Sequence, residues 1–560
     1  MKIRRMLVFA SSLTAICAGA HDARAQTTAA ITGADARHRV MILSDDSTGG
    51  RETGSRGDDA AARYVEREFR RLGLEPAGDS GSFFQVVPIV SRRFDMATMS
   101  LRAGDAPLRF ARDYIALPAI GQLPRGRPRR LDGVEVVYGG ALGDTVHVID
   151  SVAARGRFVL LDLQPGAGWR SLGILQRGLP RQLAGAAGIG VVLLDVLPDN
   201  YREFFTQPVM RIEDNRRDTA AVIPIAVLSN AAAARFLGRA LTGMEIGGAG
   251  GRATVRFDLL EGPTAMPARN VVAVLRGSDA ARRTSYVSIS AHHDHVGMSV
   301  EPVDHDSLHA FMREYELYRQ ASPQLVVTPE QRAGIRVNVD SLHRIRAARP
   351  DSIFNGADDD ASGTAALLEI AERMASDRAR PHRSILFLSH TGEERGLLGS
   401  SWFSDHPTVP RDSIIATMDM DMVGRGAARD LAIGGDRYLE LIGTRRQSTE
   451  LGDLIDTLNS RRAMPFRINY AYDAHDHPEG DWCRADHYSL ARYGIPAAAF
   501  STSYHGDYHQ VTDEAEYLDY PHLAAIAGFV GDLATTIANL DHRLVLDKPK
   551  PADPHGRCVQ

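Results

Sequence analysis

Histidines and carboxylates gather in five short stretches of the second half of this chain: AHHDHVG from Ala291, NGADDDASG from Asn355, TGEERG from Thr391, MDMDMVG from Met418 and DYHQVTDE from Asp507. Histidine and carboxylate together, without cysteine, suit a borderline-hard divalent cation such as Zn²⁺ that must also keep a position open for water. Glu393 and Glu394 pose the question most sharply, because adjacent carboxylates repel and raise each other's pKa unless a cation sits between them or they point apart. Each stretch alone has a plainer use. A histidine at a strand end can serve as a hydrogen-bonding residue, and Asp358, Asp359 and Asp360 before a helix can cap it and offset its dipole. Five such stretches, each at the end of a strand or helix, argue for metal chemistry instead.

The elements that must position them alternate. Strands are expected at Val271–Leu275, Tyr286–Ala291, Ile385–Ser389, Ile414–Met420 and Ile495–Phe500, and helices at Thr364–Met374 and Pro521–Leu540. Such alternation predicts an α/β fold, a sheet covered by helices on both faces, with its site at the carboxyl ends of the strands. Further upstream, Asp58–Leu72 places Ala61, Tyr64, Val65, Phe69 and Leu72 on one helical face, and Gly73 ends the helix. A strand follows at Phe83–Val90. The intervening Gly78-Asp79-Ser80-Gly81 has the letters of a serine nucleophile loop but sits in a turn after a helix, where they carry no chemistry.

LPRGRPRR at 123–130 breaks the pattern, and short apolar runs separated by glycines follow at Val134, Gly156, Gly188 and Ile223, with a helix expected at Arg181–Ala187. At the N-terminus, Lys2, Arg4 and Arg5, an apolar run and Ala23-Arg24-Ala25 have the layout of a secretory signal peptide cleaved before Gln26. Thr14-Ala15-Ile16 before Cys17 lacks the small residue expected next to a lipid-modified cysteine. Without residues 1–25, 61 basic residues face 69 acidic ones, a net charge of −8 that does not favour nucleic acid. No later apolar run reaches a membrane-spanning length; the longest, Ala184–Leu197, holds Asp195. Cys483 and Cys558 allow at most one internal disulfide, so the fold must rest on its core.

In their order along the chain, AHHDHVG, NGADDDASG, TGEERGLLGS, MDMDMVGR and DYHQVTDE resemble the site motifs of the secreted di-zinc aminopeptidases, zinc exopeptidases related to the glutamate carboxypeptidases and to glutaminyl cyclase. The resemblance covers about Asn270 to Leu540. It implies a mostly parallel or mixed sheet sandwiched by helices, two Zn²⁺ per subunit and a peptide substrate, with no membrane partner after signal cleavage. Carried over motif by motif, it places His292 and Asp421 on one zinc, Glu394 and His509 on the other, and Asp359 between them. Asp294 would orient a ligand imidazole, and Glu393 would act as general base. The resemblance extends to Asp486-His487, a segment that lines the cleft or supports its walls.

The glycine-punctuated middle of the chain resembles the protease-associated domain of secreted peptidases. The expected organisation is a signal peptide at 1–25, an N-terminal part of the peptidase domain at 26–120, the β-rich insert at 121–255, the catalytic domain at 256–545 and a tail at 546–560. Within the catalytic domain, 299–354 is a charged insertion, expected to elaborate the surface. The implied activity is release of N-terminal residues from peptides by a secreted or periplasmic enzyme. Carboxypeptidases and dipeptidases share the scaffold. Glutaminyl cyclase fits less well beside a protease-associated insert, and a receptor-like relative would lack ligands that are all present here.

Overall fold

The computed structural model describes residues 27–117, 126–144, 146–164, 172–176, 180–197, 208–213, 221–556 and 558–560. The expected signal peptide lies outside the described residues. Nine strands make the larger sheet: β1 (Glu75–Pro76), β2 (Phe84–Val86), β3 (Arg269–Leu275), β4 (Tyr286–His292), β5 (Ser384–His390), β6 (Ile414–Met420), β7 (Tyr438–Ile442), β8 (Arg467–Asn469) and β9 (Ala497–Ser501). Their spatial order is β1-β3-β5-β4-β6-β9-β7-β8, with β2 also pairing on β3. The four central strands, β5-β4-β6-β9, are parallel, whereas β3 and β7 run antiparallel to them. Parallel strands covered on both faces read as continuous apolar runs, and every residue of β4, β5 and β6 is buried.

The helices that cover this sheet are α1 (Gly33–Leu43), α2 (Arg56–Arg71), α4 (Ala361–Ser376) and α7 (Tyr520–Asn539) on one face and α5 (Leu398–Asp405) and α6 (His487–Ala491) on the other; α3 (His305–Ala321) lies in the insertion. On the first face Val40, Phe69, Ile370 and Phe529 pack with Ile289, Phe387, Met418 and Phe500. On the second, Phe403 and Leu490 pack with Leu386, Leu388 and Ile414. Each such side chain contributes about 1.5–3 kcal/mol on burial. The sequence of α2 sets its bounds: Ser55 accepts from the Gly57 and Asp58 N–H groups, acids occupy the first turn and Arg70 and Arg71 the last, and Gly73 turns away at φ 71°. α7 is long and apolar enough to cross a membrane, and its apolar residues are core residues here.

A second sheet of eight strands, drawn from Ser100–Arg256, occupies the middle of the chain. It takes in Ser100–Ala103, Ala106–Pro107 and Tyr114–Leu117, upstream of the boundary expected at 121, because strands this short leave little periodic trace in sequence. The helix expected at Arg181–Ala187 is a three-residue 3₁₀ turn, Arg181–Leu183; the chain must extend again by Gly188 to pair with Phe158–Asp162. Phe83–Val90 divides into β2 and a separate strand, Ile89–Phe94, in a three-stranded sheet. Asp79–Gly81 is an exposed turn whose Asp79 accepts from the Val86 N–H.

The insertion is a strand pair, Gly297–Asp304 against Pro350–Phe354, enclosing α3 and two short helices. It does more than extend the surface. His309 of α3 bonds Asp507 at 2.7 Å, and Arg319 bonds Glu316 at 2.7 Å and Glu479 at 2.5 Å. A side chain on Gly506 would meet the Met312 carbonyl at 2.8 Å, so α3 lies directly on the loop that precedes His509. Cys483 and Cys558 form a disulfide.

Candidate metal centre

Four of the five stretches follow directly from the parallel strands. β4 ends on His292, β5 runs into Glu393 and Glu394, β6 delivers Asp421, and the loop after β9 carries His509. The chain leaves β4 for β5 on one side and reaches β6 on the other, so the crevice opens where the strand order reverses. Asp359 stands before α4. Its backbone N–H donates to Asp513, while neighbouring Asp360 caps α4 at Gly363 and accepts from the His292 N–H. Asp358 accepts from the Gly424 N–H and pairs with His505. Of the triplet, Asp359 alone faces two of the predicted ligand histidines.

Its two oxygens divide between them. Oδ1 lies 3.2 Å from His292 Nε2, and Oδ2 lies 3.0 Å from His509 Nε2. His292 Nε2 is also 3.6 Å from Asp421 Oδ1, and His509 Nε2 is 3.0 Å from Glu394 Oε2. Two donor groups result, His292-Asp359-Asp421 and His295-Asp359-Glu394-His509, the donor atoms of each within 4.8 Å of one another. His292 Nε2, His509 Nε2, Asp421 Oδ1 and Glu394 Oε1 are buried and make no hydrogen bond. Orphaned donor and acceptor atoms cost about 1–3 kcal/mol each, and paired groups of them turned on common points are what two divalent cations would satisfy. The residues fit the metal.

The neighbouring groups fix orientation. His292 Nδ1 lies 3.1 Å from the Asp294 carbonyl and 3.6 Å from its carboxylate, which leaves Nε2 for the centre. Asp294 in turn accepts from the Thr53 hydroxyl and the Glu393 N–H. Arg51, fully buried, donates to the carbonyls of Leu43, His293, Asn355 and Gly356, binding two ligand-bearing segments to each other.

Glu393 and Glu394 have different neighbours. Burial pushes Glu393 well above the usual carboxylate range, with Glu394, Asp421 and Asp486 adding to the rise against His292. Burial and Asp359 also raise Glu394, but His509 and His295 outweigh them and bring it to about 2. Carboxylates whose environments drive them apart can serve as proton acceptor and permanent anion.

Asp486 and His487 are buried behind the ligand strands, where the His487 N–H donates to Asp419. His475 bonds the Gln560 carbonyl and His477 packs at a tilt against Tyr472, both outside the donor groups. Sequence reasoning gave no role to His295, Arg51 or Tyr508. Tyr508 stacks on His509 with ring centres 4.0 Å apart, and Arg484 donates to its hydroxyl at 3.5 Å. Burial, with Asp359, Glu394 and Glu393 facing it, holds that phenol in its protonated form.

Residues 270–534 match the model of peptidase family M28. The chain is 30% identical over 192 residues to leucine aminopeptidase 1 of Paracoccidioides brasiliensis (strain Pb03), covering 32% of this chain and 47% of that protein. It is 40% identical over 80 residues to the probable glutamate carboxypeptidase VP8 of Zea mays, covering 14% of this chain and 11% of that protein. The chain thus spans about half the length of the leucine aminopeptidase and far less of the carboxypeptidase. The aminopeptidase from Aneurinibacillus sp. strain AM-1 shares the fold with a TM-score of 0.52 at 18% identity, over 92% of this chain and 97% of that one. The α/β unit that carries the donor groups is thus the part of the chain that matches the family M28 model.

Proposed function

We propose that this chain is a dinuclear zinc exopeptidase that removes N-terminal residues from peptides, exported from the cytoplasm. The observation that carries the reading is Asp359, with one carboxylate oxygen turned to each of two histidines. Two bound zinc ions would supply an acidified water and a polarised scissile carbonyl. His292 and Asp421, Glu394 and His509, with Asp359 between them, are the residues that hold them. Glu393 takes the proton from the water and returns it to the leaving amine. The Tyr508 hydroxyl accepts from Arg484 and directs its own proton toward charge that develops on the substrate oxygen.

The arginines favour the amino end. A carboxypeptidase needs a cation for the terminal carboxylate, and the nearby arginines are engaged: Arg484 with Glu479, Arg395 with Glu52, and Arg425 with Asp430 and Asp507. The disulfide supports export to an oxidising compartment, in keeping with the signal-like N-terminus. The second sheet is read as the protease-associated insert, on its β-rich run between the two parts of the peptidase unit.

Metal analysis and a panel of aminoacyl, C-terminally blocked and dipeptide substrates test the reading on wild type and Glu393→Ala. Both proteins should hold two zinc ions, and only the wild type should turn over. An active Glu393→Ala protein removes the general base, and a wild type that binds no metal removes the function.

A further inference from the structure

His295 lies in the donor group on the Glu394 side, and none of the roles assigned so far uses it. Its side chain is fully buried, and neither ring nitrogen makes a hydrogen bond. Nδ1 stands 2.7 Å from Glu394 Oε1 and 3.9 Å from Asp359 Oδ2, and the ring lies edge-on to His509 with centres 5.5 Å apart. The approach to Glu394 is an ion-pair contact without hydrogen-bond alignment. His295 Nδ1 therefore belongs with His292 Nε2, His509 Nε2 and Asp421 Oδ1 as a buried atom that faces other donor groups at the centre and makes no hydrogen bond.

The surroundings build this placement. The His295 N–H donates to the Arg51 carbonyl at 3.0 Å, and the Arg51 guanidinium holds the carbonyls of His293 and Gly356 on either side. Gly356, at φ +55°, makes room for the imidazole: a Cβ there would fall 2.5 Å from His295 Cδ2. A fully buried imidazole with neither nitrogen hydrogen-bonded is costly unless something else engages it.

We propose that His295 is an additional protein ligand of the metal bound by Glu394 and His509, which makes the two positions unequal. This rests on the dinuclear reading above. Asp359, Glu394, His509 and His295 give one position four protein ligands, the number that closes a structural zinc site; His292, Asp421 and Asp359 give the other three, the number that leaves a place for water. The first position is the tight one, and the second is the one that exchanges.

Zinc titration of the chelator-stripped protein, read with a chromophoric competitor, tests this alongside a crystal structure of the zinc-loaded enzyme. Wild type should bind two equivalents in separable steps. In His295→Ala the tight step should weaken more than 100-fold while the other changes less than about threefold, since loss of an outer partner costs only 10–100-fold. His295→Asn should behave alike, and the unfolding midpoints of the metal-free proteins should agree, which separates ligand loss from misfolding. The loaded structure should place His295 Nδ1 about 2.1 Å from zinc. Two unchanged binding steps in His295→Ala, or a nitrogen beyond 3 Å from both ions, would overturn the assignment. A wild type that takes up no zinc would instead remove the dinuclear reading on which it stands.

Discussion

Asp294 holds the backbone of Glu393: Oδ1 accepts the Glu393 N–H at 3.1 Å, and the same residue faces His292 Nδ1. Its carbonyl at 3.1 Å and its carboxylate at 3.6 Å thus orient a metal-binding imidazole, while the same carboxylate holds the segment that presents the proposed base. Asp294→Ala should weaken zinc binding 10–100-fold. At saturating zinc, kcat should still be lower by about 100-fold, because the base is displaced. Measuring kcat across a zinc titration separates the two effects; full recovery at high zinc would leave Asp294 as an orienter of His292 alone.

Tyr508 makes a second test. Tyr508→Phe keeps the ring on His509 and removes only the hydroxyl. Zinc content and KM should stay near wild type while kcat falls about 100–1000-fold, the loss typical of one oxyanion donor. An unchanged kcat would confine Tyr508 to packing.

Buried neutral histidine predicts a pH dependence of stability. Burial holds His487 near 3, against an unfolded value of about 6.5. A depressed value means that its contribution is complete above 6.5 and is lost as the pH falls toward 3, because the unfolded chain takes the proton first. Between pH 7.5 and pH 5 this one group removes about 2 kcal/mol. His487→Leu should therefore lose about 2 kcal/mol less than wild type over that interval in urea unfolding, whatever its absolute stability. Equal losses would show that His487 protonates in the folded state.

The strands were the most legible part of the fold. Ile414–Met420 was readable to the residue because a strand buried on both faces is mostly apolar, whereas β4 and β5 each run one residue past their expected ends, onto His292 and His390. The five histidine and carboxylate stretches were visible because strand ends gather residues that are distant in sequence. Arg51 was not visible. Its partners are backbone carbonyls, some more than 200 residues away, and carbonyls leave no signature in side-chain types. His295 was on view in the HHDH run, but its bearing depends on Gly356, whose missing side chain matters only in three dimensions. The early strands of the second sheet were too short to show a period, and the insertion's contacts depend on which loop it meets.

That contact has a consequence for modularity. His309 of the insertion shares Asp507 with Arg425 and Thr512, two residues before His509. The insertion is therefore not an interchangeable cassette. In a chimaera carrying a foreign segment between 299 and 354, Asp507 would keep its charge and lose one of three partners, and the loop would settle toward Arg425. A swap made to alter which peptides are accepted would also alter the seat of a metal ligand, so selectivity and metal retention would change together.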